Sequence, residues 1–117
     1  MSKDIDWRGS SLKDLRDFPA DARKKAGYEL EQIQQGLPPT QWKSVNDWGS
    51  GVVEIKLDVS AGTFRVIYIA KFDEAIYILH CFVKKNQQTS PKDISIIKTR
   101  YAGVIRERHR RENEKGY

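Results

Sequence analysis

The sequence predicts a small α+β domain in which helices pack on an antiparallel sheet. Three observations support this class: apolar residues recur at helical spacing over residues 20–35, they alternate with polar residues over 53–57, and short turns join this segment to two further apolar segments. A chain of 117 residues has the length of one domain, and we assign 1–117 to it, with a charged tail from about residue 106.

The N-terminal part predicts a short strand and two helices. Ile5 and Trp7 alternate with polar neighbours, as in a strand. A brief helix follows, with Ser11 as its N-cap. A longer helix over residues 20–35 has one apolar stripe and ends at Gly36, since glycine readily takes the conformation that closes a helix.

Residues 37–51 are predicted to form a loop that contains Trp42 and Trp48. Two interpretations are open for these tryptophans: they anchor the loop on the core, or they are platforms on which nucleobases stack. We favour the first, because buried aromatic side chains are the common case.

Three strands then follow and predict an antiparallel meander, because their connections are short. The first is half-buried around 53–57, and the second (63–71) and third (75–85) are apolar on both faces. Together these features predict two N-terminal helices on a three-stranded meander, with an additional N-terminal strand and a C-terminal helix.

The final helix is predicted to begin after Ser90, with Pro91 in its first turn. Its apolar stripe consists of Ile94, Ile97, Tyr101 and Ile105. The charged tail beyond it is expected to fray.

The composition excludes several classes of protein. No apolar run approaches the ~20 residues that span a bilayer, and the first residues lack the apolar part of a secretory signal. The single cysteine, Cys81, cannot form an internal disulfide or supply a structural zinc site. We therefore expect a cytoplasmic protein with no metal, no cofactor and no membrane partner.

The basic residues are concentrated in the second part of the chain. Residues 1–78 contain 11 basic and 12 acidic side chains, whereas residues 79–117 contain 10 basic and 4 acidic ones. A basic end on a small domain is typical of proteins that bind a polyanion, an acidic protein or a membrane surface. Of these we expect the first two and no membrane, and the alternative is that the basic end serves solubility alone.

The predicted register places basic side chains on one face of the sheet. If Lys56 pairs with Arg65, and Arg65 with Phe82, four polar side chains share a face, because paired residues point to the same side. They are Lys56, Arg65, His80 and Lys84. The other face is then apolar, and we expect the helices to cover it; it comprises Val53, Ile55, Leu57, Phe64, Val66, Tyr68, Leu79, Cys81 and Val83. Such a cluster of cations suits phosphate.

Two motifs carry a family resemblance. The pattern Phe-Arg-Val-x-Tyr at 64–68 and the pattern His-x-Phe-x-Lys-Lys at 80–85, set among the predicted helices and strands of residues 12–103, resemble the RelE/ParE toxin superfamily. The best match is its HigB-like, phage-derived branch.

The resemblance implies a toxin of a type II toxin–antitoxin system. RelE- and HigB-like members cleave mRNA in the ribosomal A site, using the 2′-OH of the RNA as nucleophile and no metal. By motif position, Arg65 corresponds to the arginine that stabilises the transition state, Lys56 to a basic residue of the first strand, and Lys84 and Lys85 to the basic pair that ends the third.

We therefore predict that Arg65, Lys56 and Lys84 are catalytic and that Lys85, His80 and Tyr101 bind RNA. Lys56 acts as a base only if its affinity for protons falls. Histidine is the side-chain type suited to proton transfer near neutral pH, but a lone strand histidine such as His80 is more often structural. Tyr101 lies in the apolar stripe, so packing is the more common role there.

Two other functions stay open at this point. ParE-like relatives have the same fold, lack the catalytic set and poison gyrase, and a plain nucleic-acid-binding module also fits a basic surface. A toxin of this charge is expected to bind an acidic antitoxin, of helix-turn-helix type, across its basic surface and last helix, besides mRNA and the ribosome.

Overall fold

The computed structural model describes residues 2–115 and shows the predicted α+β class. Its elements are β1 (Asp4–Trp7), α1 (Ser11–Arg16), α2 (Ala20–Gln34), β2 (Trp42–Ser44), a single 3-10 turn (Asn46–Trp48), β3 (Val52–Val59), β4 (Gly62–Ile69), β5 (Ala75–Val83) and α3 (Pro91–Lys115). The strands form one sheet in the order β1-β5-β4-β3-β2.

The meander and its register are confirmed. β3 pairs antiparallel with β4 and β4 with β5, and Lys56 lies opposite Arg65, which lies opposite Phe82. β1 adds a parallel strand along β5, with Asp4 opposite Ala75. The first strand of the chain therefore completes the sheet next to the last one.

Helices α1 and α2 cover one face of the sheet, as expected. The predicted stripe of α2 is buried and consists of Ala22, Ala26, Leu30 and Ile33. Gly36 ends the helix at a positive φ of 82°, where its N–H donates to the carbonyl of Ile33 at 3.0 Å. This face carries the larger of the two hydrophobic clusters.

The expectation that the helices cover only this face was wrong. α3 packs on the opposite face, where its Ile97 and Val104 join a second buried cluster with Ile67 and Ile69. The two strands that are apolar on both faces are therefore sandwiched between helices, and the cations occupy only the part of that face that α3 leaves uncovered.

The sequence prediction placed Leu79 on the face that α1 and α2 cover, and this was wrong. The ladder between β4 and β5 shifts register at Ile67 and Tyr68, so that Ile67 lies opposite His80 and Tyr68 opposite Ile78. A bulge of one residue follows on β5. As a result Leu79 packs in the α3 cluster.

The predicted loop at 37–51 contains a strand. β2 pairs antiparallel with β3 at the edge of the sheet, with Trp42 opposite Ile55. Trp48 packs against the α3 cluster, as the anchor interpretation expects. Trp42 is 51% exposed, so that interpretation was wrong for it.

Two helix ends differ from the prediction. Ser10 rather than Ser11 is the N-cap of α1, and the buried Ser11 donates instead to the carbonyl of Ile78 at 3.3 Å. Up to Lys115 the expected fraying of the tail is wrong: α3 continues to that residue, because Glu107 and Arg108 form ion pairs with side chains outside the helix. Residues 116–117 of the tail lie outside the described residues.

None of the described helices combines the length and hydropathy needed to cross a membrane. Within residues 2–115 there is also no group of three or more His, Cys, Asp or Glu side chains placed to hold a metal ion. Cys81 is a buried free thiol, and burial raises its pKa.

Candidate functional site

Four cationic side chains gather where α3 leaves the sheet uncovered. Lys43 is on β2, Lys56 on β3 and Arg65 on β4, and Lys84 directly follows β5, with its N–H donating to the carbonyl of Thr63 at 2.9 Å. We call these four residues the strand cation cluster. Neighbouring strands lie about 4.8 Å apart, so the cluster crosses roughly 14 Å of sheet.

An open cavity of about 550 Å³ lies over three of these cations. Its lining consists of Thr40, Gln41, Trp42, Lys43, Glu54, Lys56 and Arg65. We call it the cation cavity. Its volume falls in the range of small-molecule and cofactor sites.

A buried carboxylate holds Arg65 in place. Arg65 is 8% exposed and Glu54 is 3% exposed, and Arg65 Nε lies 3.4 Å from Glu54 Oε1. Lys43 Nζ lies 3.6 Å from the same oxygen. Neither Nε nor Nη1 of Arg65 has a hydrogen-bond partner among the described residues. The guanidinium is therefore anchored by charge, with hydrogen-bonding capacity unused.

Lys56 is less buried and has a carboxylate beside it. Its Nζ lies 3.4 Å from Asp58, and Asp58 accepts a hydrogen bond of 2.9 Å from the hydroxyl of Thr63. That hydrogen bond, together with the charge of Lys56, lowers the pKa of Asp58. The Lys56 ammonium thus stands at the rim of the cluster with an ionised partner.

The surroundings of Lys84 change its ionisation. Partial burial and the positive charge of Arg65 lower the pKa of Lys84, the charges of Lys43 and Lys56 act in the same direction, and Glu54 opposes them. This coupling brings Lys84 electrostatically into the group that surrounds Arg65, and it makes the Lys84 ammonium a better proton donor than an ordinary lysine.

Lys85 is exposed at a second cavity of about 400 Å³ next to the first turn of α3. Lys84 and Lys92 line the same cavity. The structure thus extends the row of positive charges beyond the strand cation cluster toward α3.

His80 does not line the cation cavity. It is 6% exposed, its Nε2 lies 2.7 Å from Asp93 Oδ1, and its ring stacks on Phe82 at 4.9 Å between centroids. Asp93 also accepts a hydrogen bond from the hydroxyl of Ser90. His80 therefore connects β5 to the start of α3.

Tyr101 does not line the cation cavity either. Its hydroxyl donates to the carbonyl of Ser50 at 3.0 Å, and its ring lies against Gly49, where a Cβ would meet ring carbons at 2.6 Å. Gly49 also has a positive φ of 152°. These contacts support the packing role and hold the 49–51 turn against α3.

The sequence interpretation missed Lys43 and the position of Trp42. Both lie in the three-residue strand β2, whose burial pattern is exposed throughout. A strand without a buried side leaves no alternating apolar pattern, so no signal in the sequence could have placed them beside Arg65.

Comparisons with known proteins agree with this architecture. A family model described as phage-derived, Gp49-like protein matches residues 13–102. A solved structure of E. coli toxin RelE in the free state, a variant with two arginines replaced by alanine, is similar with a TM-score of 0.57 and 15% identity. The match covers 90% of this chain and 99% of that one. A search of curated proteins finds no match.

Proposed function

This chain belongs to the phage-derived Gp49-like family and has the RelE fold, and we propose that it is the toxin of a type II toxin–antitoxin pair that cuts mRNA on the ribosome. The observation that supports this activity is the strand cation cluster, in which Arg65 faces an open cavity beside Lys43 and Lys56. Cations from neighbouring strands suit a phosphodiester, which carries its charge on adjacent oxygens.

The reaction is an attack of the RNA 2′-OH on the adjacent phosphorus. The O2′–P bond forms as the 2′-OH proton passes to water, the P–O5′ bond breaks as the 5′-oxygen takes up a proton, and the products are a 2′,3′-cyclic phosphate and a 5′-hydroxyl. Negative charge accumulates on the phosphoryl oxygens in the transition state. Arg65, held by Glu54 before substrate arrives, supplies the preorganised positive charge, and removal of one such group costs about 2.7–4 kcal/mol.

Lys84 is suited to protonate the leaving 5′-oxygen. Its lowered pKa makes the ammonium a stronger acid, and general acid catalysis of this kind contributes about 10²–10⁴-fold. Lys56 and Lys43 hold phosphate oxygens, and Lys85 continues the backbone track. The ribosome orients the mRNA, a contribution worth up to about 7–11 kcal/mol.

The same surface is proposed to receive the antitoxin. The chain carries a net charge of +5, and an acidic antitoxin of helix-turn-helix type that covers the cation cavity and part of α3 would block the substrate. Binding that weakens as salt is raised is the expected signature, because exposed charges are screened.

Primer extension on cellular mRNA after induction tests the activity. We expect codon-linked cuts with the unaltered chain, no cuts with Arg65→Ala, and normal cuts with Arg108→Ala, a matched control whose arginine pairs with Glu74. Intact mRNA with a DNA-damage response would instead identify a gyrase inhibitor of ParE type. Binding to RNA without any cut would identify a plain binding module.

A further inference from the structure

Trp42 is an exposed aromatic side chain at the edge of the sheet. β2 has β3 on one side only, and half of the Trp42 surface, 51%, faces solvent. Edge strands usually carry charged residues and prolines that discourage contacts. A large exposed indole at such an edge is therefore a candidate contact for a ligand.

Trp42 also separates two cavities of different chemistry. On one side is the cation cavity. On the other is a cavity of about 360 Å³ that is mainly apolar, to which Leu37, Pro38 and Pro39 contribute. Among the described residues, Trp42 alone lines both.

The backbone fixes Trp42 relative to the cations. Trp42 lies opposite Ile55, and the next residue, Lys43, lies opposite Glu54. On the preceding side, the carbonyl of Gln41 accepts a hydrogen bond of 3.0 Å from the N–H of Lys56. Neighbouring residues of a strand point to opposite faces, so the indole lies on the face of Ile55 and the Lys43 side chain on the face of Glu54. Trp42 also lines the cation cavity, and the two faces meet at the open edge of β2, where one nucleotide could contact both.

We propose that Trp42 is a stacking platform for a nucleobase of single-stranded RNA, the base next to the phosphate held by Lys43, Lys56 and Arg65. A nucleotide has a charged phosphate beside a flat base with apolar faces, and the two cavities joined at Trp42 offer matching surfaces. Stacking on an aromatic ring tolerates any base. This inference rests on the proposed function, because it takes RNA as the substrate.

Fluorescence provides a direct test. In the Trp7→Phe/Trp48→Phe variant, Trp42 is the single tryptophan of the chain, so its emission reports on its own surroundings. The probe is a short single-stranded oligonucleotide with 2′-deoxy sugars, which lacks the attacking hydroxyl and stays intact. We expect its bases to quench the emission at low salt, and an abasic oligonucleotide of equal length to quench little.

Affinity measurements with labelled oligonucleotide complete the test. Trp42→Ala is expected to weaken binding roughly 5- to 150-fold, as loss of one stacking partner does, and Trp42→Phe to retain most of it. Tyr28→Ala is the matched control, because Tyr28 is 59% exposed but lines neither cavity. For the abasic probe, Trp42→Ala should make no difference.

Two outcomes distinguish a failure of the stacking proposal for Trp42 from a failure of the proposed nuclease function. If Trp42→Ala binds the base-containing oligonucleotide as well as the unaltered chain does, while Lys43→Ala binds it more weakly, the platform is overturned and RNA binding stands. If the unaltered chain neither binds the oligonucleotide nor cuts mRNA, the proposed function fails and the platform fails with it.

Discussion

Two groups of cations in this molecule differ in how their charge is matched. Near the C-terminal end of α3, Arg108 Nε lies 2.6 Å from Glu74 and Arg111 lies 2.8 Å from Glu107. In the strand cation cluster, Lys43 and Arg65 share the single carboxylate of Glu54. The first group is paired nearly one to one, and the second has more positive charge than its acids neutralise.

An excess of basic residues in one part of the sequence therefore does not by itself identify a phosphate-binding site. The excess in the sequence lies in residues 79–117, but several of its arginines hold α3 to the rest of the fold. The Arg108 guanidinium also lies 3.6 Å from the ring centroid of Phe72, a cation–π contact. What remains for a phosphate is the charge of the strand cation cluster that Glu54 and Asp58 leave unmatched.

The largest effect should come from Arg65 of the strand cation cluster, with Arg108 of the paired group as its control. We expect Arg65→Ala to lower the rate of mRNA cleavage in a purified translation reaction about 10²–10³-fold, because the charge on the transition state loses its partner. Arg108→Ala should leave the rate within about twofold, since its charge is already paired. Equal losses in the two variants would erase the distinction between the groups.

The two carboxylates should differ in their contribution to stability. Glu54→Gln leaves a buried guanidinium without its counter-charge, and we expect the free energy of unfolding to fall by about 3 kcal/mol. Glu107→Gln, which removes a more exposed carboxylate, should lower it by about 1 kcal/mol or less. Urea denaturation of both variants measures the difference, and a reversed order would show that Glu54 does not anchor Arg65.

The pH dependence of cleavage should identify Lys84 as the acid. The rate is high while Lys84 is protonated, and because its pKa is lowered from 10.5, the rate should fall about tenfold per pH unit above that lowered value. Lys84→Arg should move the alkaline decline to higher pH. If the decline stays in place in that variant, another group donates the proton.

The smallest expected effect is a loss of stability at low pH from the ion pair between Arg108 and Glu74. The hydrogen bond from Arg108 lowers the pKa of Glu74 from 4.5 to about 2. A depressed pKa in the folded state contributes stability above pH 4.5, and this is lost as the pH falls towards about 2. Since the side chain is about one-third exposed, we expect about 1 kcal/mol or less.

Thermal unfolding of the unaltered chain and of Glu74→Gln over this pH range measures that contribution. The two melting temperatures should differ at pH 6 and converge near pH 2. A difference that is constant across the range would assign the effect to packing instead of ionisation.

The sequence predicted the parts of the fold that are determined by patterns among neighbouring residues. The alternation at 53–57 and the short turns determined the meander, and the pairing of Lys56 with Arg65 followed from them. The bulge turns Leu79 to the other face, where it packs with Ile97 and Val104 of α3. Such contacts between distant segments leave no local pattern.

The residues of the candidate site were also predicted only in part, because some of them come together through contacts between distant segments. The resemblance pointed to Arg65, Lys56 and Lys84, which the structure brings into one electrostatic group. Lys43 joins them only because a three-residue edge strand pairs with β3, and His80 is withdrawn from them by Asp93 of α3. Both effects arise from tertiary contacts that spacing along the chain does not encode.

The parallel pairing of β1 with β5 has a consequence for synthesis of the chain. β1 can pair with β5 only after about seventy further residues have been made, since Asp4 lies opposite Ala75. Until then the nascent chain keeps an open sheet edge, and such long-range closure is slow. Closure of the sheet by β1 therefore comes later in synthesis than the pairing of β3 with β4, whose residues are close together in the sequence.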